Sequence, residues 1–126
     1  MRWSLFPGRF QPFHNGHKAQ VDHLLAQGKR VAIGIRDTPV SESDPYTYQQ
    51  RFEMIWAVCA DEMGEGRVDI VAIPDLEGIY YGRRVGFNVE QIELPDEVES
   101  VSATKVRAGA PDVPPEVAEY IKGLKP

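Results

Sequence analysis

The sequence predicts an α/β fold built on a small parallel sheet, and three observations carry that prediction. Apolar runs short enough to be strands, Trp3 to Phe6, Arg30 to Ile35 and Val68 to Ile73, alternate with segments of helical periodicity. The second and third runs are β-branched with little polar alternation, as strands of a buried parallel sheet are. Glycines and prolines punctuate the chain where strands and helices should stop. Strand, helix, strand, helix, strand implies right-handed crossovers and helices packed on the sheet, a small three-layer Rossmann-like arrangement.

The elements follow in order. Trp3 to Phe6 is closed by Pro7-Gly8. Residues 16–27 bring Ala19, Val21, Leu24 and Leu25 near one helical face, with Asn15 as N-cap and Gly28 as stop. After the second strand comes a polar connection, Asp37 to Pro45, long enough to be functional. Thr47-Tyr48-Gln49-Gln50 has the form of a capping box, and Phe52, Ile55, Trp56 and Cys59 fall on an amphipathic stripe behind it. Gly64 and Gly66 end that helix, and Pro74 ends the third strand. Phe87 to Leu94 reads as a fourth strand at a sheet edge. Pro114-Pro115 opens a last helix with Val117, Tyr120, Ile121 and Leu124 at helical spacing.

Composition narrows the function. The 126 residues suit one domain spanning 1–126, and 42% hydrophobic content excludes a disordered chain. With 14 basic against 19 acidic residues and a net charge of -5, no broad electrostatic surface for nucleic acid is expected. A phosphate-bearing ligand must be held by a local site. The lone Cys59 excludes an internal disulfide and a cysteine-rich zinc site, and no protein metal cage is expected. No apolar run approaches the roughly 20 residues of a membrane span. The N-terminus reaches Pro7-Gly8 too soon for a signal-peptide core, so a cytoplasmic protein without a membrane partner is expected.

In open α/β sheets, ligands bind beyond the carboxyl ends of the strands. There, after the first strand, stands Gly8-Arg9-Phe10-Gln11-Pro12-Phe13-His14-Asn15-Gly16-His17. Gly8 and Gly16 permit close backbone approach, and His14 and His17 flank a helix start whose amides and dipole favour anions. Taken alone, H-x-G-H also describes a loop with two surface histidines; its position after strand one and before helix one favours phosphate contact.

This string resembles the signature of the nucleotidylyltransferase superfamily, most of all that of archaeal-type nicotinamide mononucleotide adenylyltransferases and related phage and bacterial proteins. The resemblance implies the nucleotidylyltransferase fold, with both histidines on a triphosphate. A second motif, Val101-Ser102-Ala103-Thr104-Lys105-Val106-Arg107, by itself reads as a capped helix start. It resembles the superfamily's I-S-x-T-x-I-R, in which the hydroxyls and amides cradle the β- and γ-phosphates and the arginine neutralises them. Asp44-Pro45-Tyr46-Thr47 and Arg51-Phe52-Glu53-Met54-Ile55 are similar to the family's N-P-F-T loop and R-x-x-M-I helix. The stretch from Asp75 to Gly86 is shorter than in the archaeal enzymes.

The resemblance implies an enzyme that moves a nucleoside monophosphate, AMP from ATP, onto a phosphorylated acceptor such as nicotinamide mononucleotide. His14, His17 and Arg107 would be catalytic. Gly8, Arg9, Phe10, Gly16, Ser102 and Thr104 would bind the nucleotide, with Mg²⁺ carried on the triphosphate. On the acceptor side, Asp37 lies where such folds touch ligands, though a solvated acid fits equally. Arg51 suits a structural ion pair as well as a substrate contact. Tyr80 and Tyr81 could offer a stacking ring, whereas Trp56 reads as core and His23 as helix surface. A cytidylyltransferase for a phosphorylated alcohol and a silent nucleotide-binding module are the alternatives; a homo-oligomer is left open. A tRNA synthetase is excluded by size.

Overall fold

Three strands pair in parallel in the order of the sequence, and the middle one carries the most buried side chains. A computed structural model describes residues 2–82, 89–92 and 112–124. Its elements are β1 (Trp3–Gly8), α1 (Asn15–Ala26), β2 (Arg30–Asp37), α2 (Tyr48–Gly64), β3 (Val68–Pro74) and a third helix, α3 (Pro115–Leu124). Phe6 stands opposite Ile33, and Ile33 opposite Ile70, so these side chains form one row across the sheet.

That row faces the helices. Val31, Ile33, Ile35, Val68 and Ile70 cluster with Val21 of α1, Met54, Ile55 and Cys59 of α2, and Val117 of α3. On the opposite face Leu5 and Ile73 lie over Gly34, and Leu5 is 52% exposed. The α/β class and the parallel sheet are therefore as expected, but the described residues supply two layers, with the helices on one face. Of the expected fourth strand, residues 89–92 are described and are not strand; the rest lies outside the described residues.

Two expectations about the helices are corrected. The N-cap of α1 is His14, not Asn15, which is the first helical residue. On α2 the capping box of Thr47 and Gln50 forms, but the buried residues are Arg51, Met54, Ile55 and Cys59, while Trp56 is 51% exposed and stacks on Phe52. The reason is Arg51. A charged residue lies within the buried arc, so a stripe drawn through apolar residues alone is rotated toward the aromatic edge. Helix α3 begins with Pro115 and packs on α2, where the Tyr120 hydroxyl donates to Glu53.

Candidate active site

The segment between β1 and α1 is a loop with the burial of a core. Phe10, Gln11, Phe13 and His14 are all 6% exposed or less. Phe10 adopts φ +55, unusual for a residue with a side chain. This directs its ring toward Phe6, Phe13 and the edge of His17, the last at 4.8 Å between centroids. Gly8 is required by that ring, because a Cβ there would come within 2.8 Å of it.

The two histidines close a reciprocal capping box. The His17 amide donates to His14 Nδ1 at 3.3 Å, and the His14 amide donates to His17 Nδ1 at 3.1 Å. Serine or threonine with glutamate or glutamine usually fills these roles. The rings stack with centroids 3.6 Å apart and an angle of 11°. An Nδ1 that accepts carries no proton, so this hydrogen-bond pattern assigns the neutral Nε2–H tautomer to both rings. Burial lowers His14 to about 4, and burial with His14 as neighbour holds His17 well below the usual imidazole range. At neutral pH the pair is two uncharged donors at the start of a helix.

A stability prediction follows. The unfolded chain takes up the His14 proton as pH falls through 6.5, the folded chain only near 4. Stability is therefore full above pH 6.5 and is lost as pH falls through that window, by on the order of 3 kcal/mol at the full shift. Urea midpoints measured from pH 7.5 down to 4.5 should decline, and His14→Asn, which keeps a capping side chain, should flatten the decline. Equal slopes in both proteins would remove His14 as the cause.

Other expected site residues are placed less uniformly. Asp37 ends β2 and is exposed, close enough to favour the charge on Arg51. Arg9 is exposed. The Phe10 ring is core, leaving only its backbone available to a ligand. Gly16 is buried in the first turn of α1. Among the described residues Arg51 forms no salt bridge, and backbone carbonyls hold its Nε and Nη1 while Nη2 has no hydrogen-bond partner. Fully buried, it donates from Nη1 to the carbonyls of Arg9 (2.8 Å) and Arg36 (2.7 Å) and from Nε to that of Thr47 (3.1 Å). Tyr80 and Tyr81 are exposed after β3; neither makes a ring contact with the histidines, and Tyr80 donates to Glu77. Ser102, Thr104 and Arg107 lie outside the described residues. Asp112, downstream of them, accepts from the Asn15 amide at the start of α1 (2.9 Å).

Sequence reasoning missed Gln11. Its amide is buried and grips the backbone of Tyr46 at both ends, Nε2 donating to the carbonyl (2.9 Å) and Oε1 accepting from the amide (2.8 Å). A polar residue set between Phe10 and Pro12-Phe13 was the available signal. A cleft of about 380 Å³ lies elsewhere, at the amino ends of β2 and β3. Its Arg67 is already paired with Glu65, and its Arg30 bonds the Gly66 carbonyl and lies 3.9 Å from the Trp3 ring centroid.

A parallel sheet whose carboxyl edge carries two neutral imidazole donors at a helix start is an α/β arrangement suited to anions. The cytidylyltransferase-like family model matches residues 5–76, and the chain belongs to that family. It is 40% identical over 76 residues to the nicotinamide-nucleotide adenylyltransferase of Thermococcus sibiricus, covering 57% of this chain and 40% of that protein. Its counterpart in Methanocorpusculum labreanum is 46% identical over 57 residues, 44% of this chain and 34% of that protein. The chain thus matches about two fifths or less of the length of these curated relatives. The Pyrococcus furiosus protein of the same name aligns along 99% of this chain and 85% of its own length at 29% identity. That alignment runs to 162 positions against 126 residues, so the relative has segments this chain lacks. A solved bifunctional NMN adenylyltransferase/ADP ribose pyrophosphatase from Francisella tularensis is 33% identical over 56% of this chain and 22% of its own, with a TM-score of 0.42. Among the described residues, no helix is long and apolar enough to cross a membrane.

Proposed function

We propose that this protein transfers AMP from ATP to a phosphorylated acceptor, nicotinamide mononucleotide, releasing pyrophosphate. The observation that carries this reading is the stacked His14–His17 pair, whose tautomers leave an Nε2–H on each ring. An oxygen of the acceptor phosphate attacks the α-phosphorus, and the bond from that phosphorus to the bridging oxygen of the β-phosphate breaks. The acceptor phosphate is already an anion, so no general base is needed. Catalysis is then positioning and charge stabilisation. The two imidazoles donate to phosphate oxygens as charge moves toward pyrophosphate, and the amino end of α1 adds its dipole. Ser102, Thr104 and Arg107 are assigned to the β- and γ-phosphates on their motif. Neutral rings with occupied Nδ1 atoms suit hydrogen bonding to phosphate better than metal ligation. Mg²⁺ would accordingly be carried by the triphosphate and water, where it would supply neutralising charge. The names borne by the relatives, including one aligned along most of its own length, support the donor and acceptor.

Pyrophosphate release over four nucleoside triphosphates crossed with phosphorylated acceptors tests the reading. Turnover is expected with ATP and nicotinamide mononucleotide, yielding the dinucleotide. CTP consumed with a phosphorylated polyol, and no ATP consumed with the mononucleotide, would move the protein to cytidylyl transfer. Binding without any turnover would make it a nucleotide-binding module.

A further inference from the structure

Two buried polar side chains join the histidine loop to the connection between β2 and α2. Gln11, three residues before His14, holds both backbone groups of Tyr46. Arg51 reaches from α2 to the Arg9 carbonyl on one side and the Arg36 carbonyl on the other, and Arg36 also accepts from the Thr38 amide (2.9 Å). The Arg9 carbonyl belongs to the peptide that leads into Phe10, the residue held at φ +55. A left-handed non-glycine residue persists only where its surroundings over-determine it. Here Arg51 fixes the peptide, Phe10 takes up the strained angle, and its ring backs His17.

We propose that Gln11 and Arg51 are positioning residues that lock the His14–His17 pair to the 38–47 connection. The link to turnover rests on the function proposed above; the mechanical link does not. Burying a guanidinium is costly, and the carbonyls of Arg9, Arg36 and Thr47 offset that cost only while they stay in place, so Arg51 ties the three together. A paired amide on a backbone amide and carbonyl fixes spacing as well as contact. The connection and the histidine loop are thus one rigid unit at the carboxyl edge, and loosening either frees the imidazoles.

The test uses the whole chain and three variants. Gln11→Met keeps bulk and removes both bonds. Gln11→Glu is nearly isosteric and offers the Tyr46 carbonyl a donor only when protonated. Arg51→Lys keeps the charge but cannot hold the Arg9 and Arg36 carbonyls together. Ring ¹⁵N spectra of His14 and His17, recorded without ligand, should show fixed Nε2–H tautomers in the wild type. Averaged Nδ1 and Nε2 signals are expected in Gln11→Met and Arg51→Lys. With ATP, Mg²⁺ and nicotinamide mononucleotide, Gln11→Met should lose about tenfold in kcat with KM for ATP within about twofold, a loss small beside direct removal of a donor.

Gln11→Glu should recover kcat and the fixed tautomers as pH falls from 9 to 6, since burial raises a carboxyl group and its protonated form rebuilds the pair. The charged and titratable groups around this junction, Arg9, His14, His17, Arg36, Asp37, Glu42, Asp44, Tyr46, Tyr48, Arg51 and Asp112, are common to wild type, whose profile serves as the reference. Wild-type ring spectra in both Gln11→Met and Arg51→Lys would overturn the proposal. So would a loss of kcat in Gln11→Met with its spectra unchanged, or a Gln11→Glu protein that follows Gln11→Met at every pH. If the wild type turns over no substrate, the proposed function fails, and the spectra alone still decide whether the lock exists.

Discussion

Replacing His17 with alanine is expected to lower kcat by roughly 100- to 1000-fold while leaving triphosphate affinity much less changed, the usual cost of losing a donor aimed at developing charge. The expectation comes from the tautomer. His17 accepts at Nδ1 from the His14 amide, so its only proton is on Nε2. A neutral donor gains most when negative charge builds on the leaving pyrophosphate, and less in the ground state. Alanine also removes the capping acceptor, which could lower kcat by fraying α1 instead. His17→Gln separates the two effects. Glutamine is a usual residue at this capping position and can accept from the His14 amide, yet it has no imidazole. The expected result is a folded His17→Gln protein with turnover as low as that of alanine. Turnover near wild type in either variant would take His17 out of the chemistry.

Arg107→Ala is expected to weaken triphosphate and pyrophosphate binding by roughly 10- to 150-fold, the size of a lost hydrogen bond to a charged group. Its basis is the Ser102-Ala103-Thr104-Lys105-Val106-Arg107 motif together with the chain that follows it. Asp112, five residues further along, is bonded to the first turn of α1, next to the histidines. Arg107→Lys should recover only part of the loss, because an ammonium cannot make the paired contacts of a guanidinium. Isothermal titration with a non-hydrolysable ATP analogue at low salt measures this directly. Unchanged affinity would mean that Arg107 faces solvent, as a capped surface helix would have it.

Sequence alone determined the three strands, their parallel pairing and the place of the His-x-Gly-His string at the carboxyl edge of the sheet. Buried parallel strands announce themselves as β-branched runs, and a His-x-Gly-His string after the first of them falls where sheet topology puts ligands. The capping box of Thr47 and Gln50 was equally legible, because its four residues are consecutive and its bonds are local. The capping role of the histidines themselves was not read, since imidazoles seldom serve there.

Tertiary structure decided what depended on partners distant along the chain. Gln11 meets Tyr46 across 35 positions, and Arg51 meets Arg9 across 42, distances at which no periodicity carries information. Sequence therefore offers Arg51 an ion pair or a substrate contact but not three backbone carbonyls, and it draws the apolar stripe of α2 through Trp56 instead of through Met54. The physical reason is the same in both places. A polar side chain can be buried when backbone groups satisfy it, and which backbone groups are within reach is known only once the chain has folded.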